Sequence, residues 1–144
     1  MAVYTLPQPV LFHHCDPAGI VFYPRYFEMA NAAMEGFFAD RLNISFADLH
    51  GPMGNAVPTV ALSVTFTAPS RHGDQLSITI RPQSVGRSSL RVETRALCGA
   101  EARFEMNSTL VFTTKDTGRA APWTDPLRQA LEAEIKAQNP EAPA

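Results

Sequence analysis

The segment YPRYFEMANAAMEGFFADRL, from Tyr23 to Leu42, decides how the rest of the chain is arranged. Its apolar side chains recur at steps of three or four residues, which is typical of a helix with one apolar face. Pro24 fits the first turn of such a helix, where a missing N–H costs nothing, and Asn43 suits its end. About 18 residues predict a rod of roughly 27 Å. The apolar face carries Phe22, Tyr26, Met29 or Ala30, Ala33 and Phe37.

Four stretches after this helix alternate apolar and polar residues with a period of two. This pattern predicts strands that each have one apolar face. Because turn segments containing glycine separate all four stretches, at residues 71–74, 85–86 and 99–100, we expect the four strands to form an antiparallel meander. They cover Val60–Thr67, Leu76–Ile80, Leu90–Ala96 and Phe104–Leu110.

The two ends of the chain add smaller elements. Pro7 and Pro9 interrupt the apolar segment Val3–Phe12, which predicts a broken or edge strand. Asp125 opens a short helix through about Ala137. The predicted fold class is therefore α+β, with an antiparallel sheet of about five strands wrapped around the long helix and a short C-terminal helix. Open edge strands predict pairing between identical subunits.

Length and composition narrow the class of protein. The 144 residues predict a single domain, residues 1–144, with a frayed tail at 139–144. A net charge of −2 argues against a sequence-independent nucleic-acid binder, which needs excess cations. No apolar stretch approaches the ~20 residues of a membrane span, and no secretory signal opens the sequence. We therefore expect a cytoplasmic protein in which Cys15 and Cys98 are free thiols.

The segment His13–Pro24, between the first strand and the long helix, carries the groups suited to chemistry. Asp16 precedes a proline, Gly19 permits a tight turn, and the chain then enters the helix near Tyr23. Unpaired N–H groups and the positive end of the dipole lie at that helix start. A carboxylate beside such donors suits attack on an acyl carbonyl. On the residues alone, a simple turn or helix cap remains the competing interpretation.

The string CDPAGIVFYP, from Cys15 to Pro24, resembles the signature of the 4-hydroxybenzoyl-CoA thioesterase family. The order of elements over residues 8–114 also resembles that family's hotdog fold. Less distinctive similarities lie in Val57–Val60 and Val85–Leu90. The resemblance implies an acyl-CoA thioester hydrolase, with an aromatic acyl group among the expected substrates.

The resemblance also implies roles for individual residues. Asp16 is the expected catalytic carboxylate, as nucleophile or as general base, and the backbone N–H of Tyr23 is expected to polarise the thioester carbonyl. No cofactor is expected, because coenzyme A belongs to the substrate, and no metal is expected. The expected assembly is a homodimer or homotetramer with active sites at subunit interfaces. The expected substrate-binding residues are Gly19, Phe22, Thr59, Arg87 and Ser88.

Other residues supply alternatives to this assignment. Arg87 is the first candidate for the phosphates of coenzyme A, ahead of Arg91, Lys115 and Arg119. Glu35 is a second carboxylate that only a partner subunit could bring near Asp16. The apolar residues expected near the acyl group are Phe22, Tyr26, Phe27 and Met53.

A thiol nucleophile at Cys15 assisted by His14 is disfavoured, because neighbours in a strand point to opposite faces. Of His13 and His14, one is expected to be partly buried. The histidines do not have the spacing of a metal site. Two other functions stay open: a thioesterase for carrier-protein-linked acyl groups, and a non-catalytic acyl-CoA binding protein. The preferred function requires that the Asp16 carboxylate face a cavity and not cap its own turn.

Overall fold

The computed structural model describes residues 2–139, so of the predicted frayed tail only Asn139 is described, and 140–144 lie outside. Its main elements are one antiparallel sheet and one long helix, as predicted. The strands are β1 (Tyr4–Pro9), β2 (Asn55–Ala56), β3 (Thr59–Phe66), β4 (Gln75–Val85), β5 (Ser89–Cys98), β6 (Glu101–Val111) and β7 (Thr113–Thr114). The α-helices are α1 (Pro24–Arg41), α2 (Phe46–His50) and α3 (Asp125–Gln138).

The five long strands form the sheet in the order β1-β4-β5-β6-β3, with all neighbours antiparallel. The predicted meander of four successive strands is therefore wrong for the first of them: β3 pairs with β6 and not with β4. Tight turns join β4 to β5 and β5 to β6, whereas residues 67–74 separate β3 from β4. This longer connection, which contains Pro69, lets β4 take a place on the other side of the sheet.

Helix α1 packs its predicted apolar face onto the sheet. Ala33, Phe37 and Phe38 are fully buried, and the Phe37 ring meets Tyr4 of β1 edge to face. Burial of each such ring contributes roughly 2–3 kcal/mol before entropy is counted. The helix ends at Arg41, and Asn43 takes a positive φ of 60° just beyond it, as suits a helix terminator.

Helix α3 covers β4 beside α1. The Thr124 hydroxyl accepts from the Leu127 N–H and caps its first turn, and Leu127 and Leu131 are buried. Trp123 stacks on Phe112 and donates from Nε1 to the Ser89 carbonyl, which holds the segment before α3 on the sheet. Helix α2 and the two-residue pair β2–β7 were not predicted, because elements this short leave no period to detect.

The two edges of the sheet differ in exposure. β1 is an edge strand, as predicted, but it continues through Pro7 without a break. β3 forms the opposite edge, and its apolar residues Val60, Leu62 and Phe66 are exposed. In residues 2–139, no helix is both long and apolar enough to span a bilayer.

Candidate active site

A tight hairpin from Cys15 to Val21 carries Asp16. The Asp16 N–H donates to the Ile20 carbonyl, and the Gly19 N–H donates to the Asp16 carbonyl, both at 2.9 Å. Gly19 has a φ of 81°, a conformation that residues with a Cβ rarely adopt. The Gly19 turn expected from the sequence is therefore present, and it returns the chain directly to the start of α1.

The Asp16 carboxylate is half-buried and makes one local contact. Its Oδ1 accepts from the Ala18 N–H at 2.9 Å, so the side chain does cap its own turn, contrary to the expectation stated for catalysis. Its Oδ2 has no hydrogen-bond partner among residues 2–139. Capping was therefore wrongly expected to exclude catalysis, because only Oδ1 serves the turn and Oδ2 is left without a partner among the described residues.

The first turn of α1 follows this hairpin at once. The Phe22 N–H donates to the His14 carbonyl at 2.9 Å, which ties the helix start to the chain before Asp16. The Tyr23 N–H meets no acceptor within the described chain, and Pro24 has no N–H. The positive end of the α1 dipole thus presents a free backbone donor beside the Asp16 turn.

His13 and His14 lie in a 3-10 turn, Phe12–His14, and not in the strand end that was predicted. Their ring centroids lie 4.1 Å apart with the planes tilted by 47°, so the two rings do not point to opposite faces. His14 is buried, as expected of one of the pair, and its Nδ1 accepts from the Leu11 N–H at 2.8 Å. Burial, with a smaller contribution from His13, lowers the pKa of His14, so the neutral form is favoured. Cys15 packs beside the core as a free thiol, and Cys98 is also free.

A cluster of aromatic rings lies at the start of α1. Phe66, at the end of β3, contacts Tyr23 and Phe27 edge to face and stacks on Tyr26. Phe22 and Tyr23 are about half exposed, whereas Tyr26 is buried and donates to the Ser70 hydroxyl. Exposed rings beside a free backbone donor form a surface that suits a flat apolar group.

A cavity of about 340 Å³ opens between α1 and the strands β3 and β6, and we call it the helix-side cavity. Phe27 links it to the aromatic cluster, and Thr59 lines its wall as one of few polar groups. Asp16 lines none of the three cavities described for this chain, so the expectation that its carboxylate faces a cavity is wrong within one chain. Several lining residues could not be predicted from the sequence, since residues of five elements, α1, α2, β3, β5 and β6, create the cavity. The missed polar residues are Asn31, Thr94 and Ser108.

The remaining predicted binding residues lie at the other end of the sheet. Arg87 and Ser88 form the turn between β4 and β5, while Asp16 lies near the start of β4. The 11 residues of β4 separate these ends by roughly 35 Å. Thr59 also lies at the Arg87 end, because it pairs with Leu110 of β6. Within one chain, the structure therefore does not bring Arg87 and Ser88 to Asp16.

The alternative candidates are dispersed. Arg91 lines a polar cavity of about 560 Å³ on the face of the sheet, and Lys115 lines a third cavity and donates to the His50 carbonyl. Glu35 and Arg119 are exposed. Met53 packs partly buried against the core. Among the described residues, no group of three histidine, cysteine or acidic side chains is placed to hold a metal ion.

Known proteins match both the sequence and the fold. The family model of the thioesterase-like superfamily matches residues 10–131. A 1,4-dihydroxy-2-naphthoyl-CoA hydrolase of Synechococcus elongatus is 27% identical over 96 residues, which cover 66% of this chain and 70% of that protein.

Two solved structures share the fold at low identity. A 1,4-dihydroxy-2-naphthoyl-CoA thioesterase from Synechocystis superposes with a TM-score of 0.82 at 20% identity, over 90% of this chain and 96% of that one. A gentisyl-coenzyme A thioesterase superposes with a TM-score of 0.80 at 22% identity, over 88% and 98%. The predicted fold and family are confirmed: the chain belongs to the thioesterase-like superfamily of hotdog-fold acyl-CoA thioesterases, and it is a thioester hydrolase.

Proposed function

We propose that the protein hydrolyses an aromatic acyl-CoA thioester, with Asp16 as the catalytic carboxylate and the Tyr23 N–H as the donor to the thioester carbonyl. The observation that carries this proposal is the Tyr23 N–H, which has no acceptor in the described chain and directly follows the Asp16 hairpin. Such a fixed donor stabilises the negative charge that develops on the carbonyl oxygen.

Two routes use the same residues. In one, an Asp16 oxygen attacks the thioester carbon, the thiolate of coenzyme A leaves, and water then hydrolyses the mixed anhydride. In the other, Asp16 takes a proton from a water molecule that attacks the carbon directly. Both require the ionised carboxylate, and neither needs a cofactor beyond the coenzyme A of the substrate.

An aromatic acyl group fits the surroundings of the helix start. The helix-side cavity is lined mainly by apolar side chains, and its volume of about 340 Å³ suits a one- or two-ring group. Phe66 contacts both Tyr23, which follows the Asp16 hairpin, and Phe27, which lines that cavity. The Synechococcus relative, whose name states a two-ring aromatic acyl-CoA substrate, supports the same class.

We further propose that two copies of the chain complete each site by pairing along β3. An isologous antiparallel pair places the Thr59 end of one β3 beside the Phe66 end of the other. Arg87 and Ser88 of one copy then approach Asp16 and Tyr23 of its partner. This pairing would bring together two groups of residues that lie roughly 35 Å apart within one chain. It would also cover the exposed edge of β3.

The test replaces Asp16 in two ways. Asp16→Asn keeps an oxygen that accepts from the Ala18 N–H, so the turn stays capped while the charge is lost. Asp16→Ala removes both. We expect both variants to lose at least about 100-fold in kcat for thiol release from an aromatic acyl-CoA. Cys15→Ala is the matched control in the same hairpin and should keep wild-type kcat.

Other outcomes point elsewhere. If Asp16→Asn keeps the wild-type kcat while Asp16→Ala loses activity, Asp16 acts only as a turn cap. Glu35→Gln would then be the next variant to assay. Faster hydrolysis of the same acyl group on an acyl carrier protein than on coenzyme A would favour the carrier-protein function.

A further inference from the structure

Arg103, near the start of β6, places a buried guanidinium at the Asp16 end of the sheet. Its Nη1 lies 3.0 Å from the Pro69 carbonyl, 3.1 Å from the Ser70 Oγ and 2.8 Å from the Asp74 Oδ2, and donates to all three. Its Nε lies 2.8 Å from the Glu101 carboxylate, but the N–H is not directed at that oxygen, so this contact is an ion pair without a hydrogen bond. Arg103 therefore ties the connection between β3 and β4 to the sheet.

That connection holds the returning arm of the Asp16 hairpin. The Val21 N–H donates to the Ser70 carbonyl at 2.9 Å, and Ile20 forms an antiparallel bridge with Arg71. The Ile20 carbonyl in turn accepts from the Asp16 N–H. Hydrogen bonds and short covalent segments thus connect Arg103 through Ser70 and Val21 to the backbone N–H of Asp16.

Ser70 is the point where three parts of the molecule meet. It is fully buried, and its Oγ accepts from Arg103 of the sheet and from the Tyr26 hydroxyl of α1 at 2.9 Å. Its carbonyl holds the hairpin through Val21. The orientation of the hairpin relative to the first turn of α1 is therefore set at Ser70.

We propose that Arg103 is a positioning residue for catalysis, acting through Ser70 to hold Asp16 against the free Tyr23 N–H. This inference rests on the proposed function. A buried ion pair is weak evidence for stability as such, because apolar residues of similar volume often serve as well. What the planar guanidinium adds is direction, since it fixes a carbonyl, a hydroxyl and a carboxylate at once.

The test compares two lysine variants. Arg103→Lys keeps the charge, but its side chain is one atom shorter than the path to Nη1 and lacks the rigid plane that aims Nη1 at the three acceptors. Arg41→Lys is the matched control, because Arg41 also makes a partly buried ion pair, with Glu134, on the side of α1 that faces α3. We expect Arg103→Lys to lower kcat by about 10- to 100-fold with KM nearly unchanged. Arg41→Lys should lower Tm at unchanged kcat.

Two further variants keep the proposal falsifiable if Arg103→Lys folds poorly. Tyr26→Phe removes only the hydroxyl that reaches Ser70, and we expect a smaller fall in kcat with the same pattern. In the Asp16→Asn background, Arg103→Lys should add little further loss, because a positioning residue acts through the group it positions.

Three results overturn the proposal. The first is a kcat for Arg103→Lys no lower than that of Arg41→Lys at equal loss of Tm. The second is independent, multiplied losses in the double variant. In both cases an inactive Asp16→Asn leaves the proposed function standing. The third is full activity of Asp16→Asn, which removes the role of Asp16 and this inference together.

Discussion

The two edge strands of the sheet differ in whether their sequence prevents pairing with another strand. β1 contains Pro7 and Pro9, which lack N–H groups and so cannot add another strand at those points. β3 contains neither proline nor charge over its eight residues, and Val60 is 60% exposed. An edge without such protection invites pairing, so the difference supports the proposal that two copies pair along β3 and not along β1.

The largest effect should follow from a charge on the β3 edge. Val60→Asp places a carboxylate where the second copy is proposed to pack, and it lies outside the three cavities. We expect a monomer by sedimentation equilibrium and a loss of activity of at least about 100-fold, since each site then lacks its second half. Thr5→Asp on β1 is the control and should change neither. An active monomer of Val60→Asp would contradict the shared site.

A mixing experiment tests whether Asp16 of one chain and Arg87 of its partner share one site. Asp16→Asn and Arg87→Ala chains, refolded together, form hybrid dimers in which one site combines an intact Asp16 with an intact Arg87. At substrate concentrations below KM, we expect the mixture to exceed the mean of the two separate variants clearly, because only the hybrid holds a complete site. Activity equal to that mean would place both residues in the site of a single chain.

The Arg87 contribution itself should be smaller. Removal of a charge-assisted contact to a phosphate group of coenzyme A should raise KM about tenfold or more. A truncated pantetheine thioester lacks those phosphates, so Arg87→Ala should leave its KM nearly unchanged. Arg95→Ala, on an exposed pair with Glu105, serves as the control. Equal effects of Arg87→Ala on both substrates would remove Arg87 from this role.

Local patterns in the sequence predicted the elements better than their arrangement. The period of α1 and the Gly19 turn depend on neighbouring residues, and both appear as expected. The place of β3 beside β6 depends on the connection 67–74 and on contacts across the sheet, which alternation along one strand does not encode.

The candidate site shows the same limit. The string from Cys15 to Pro24 located the hairpin and the free N–H, since both are local features. Arg103 and Asp74 lie 29 residues apart and meet only through the fold, so no spacing rule could have paired them. The helix-side cavity is likewise a product of packing among distant segments.

The smallest expected effect is a loss of folding stability in acid, and it should arise near β1 and not at β3. β3 has no ionisable side chain, whereas the Asp74 carboxylate, at the β1 side of the sheet, pairs with Arg103. The hydrogen bond from Arg103, followed by that from the Arg71 N–H, lowers the pKa of Asp74 below its ordinary 3.8. A lowered folded-state pKa means that this stabilisation is complete above 3.8 and is lost as pH falls through the folded value.

Urea unfolding at fixed protein concentration, from pH 7 down to pH 3, measures this loss. We expect Asp74→Asn to be less stable than wild type by about 1–2 kcal/mol at pH 7, after allowance for partial exposure of the carboxylate. The difference should narrow as pH falls below 3.8, because protonation then removes the same charge from the wild type. Asp116→Asn, at an exposed position, should show no comparable difference at pH 7. A constant gap between Asp74→Asn and wild type across this range would mean that the Arg103 pair contributes through packing and not through charge.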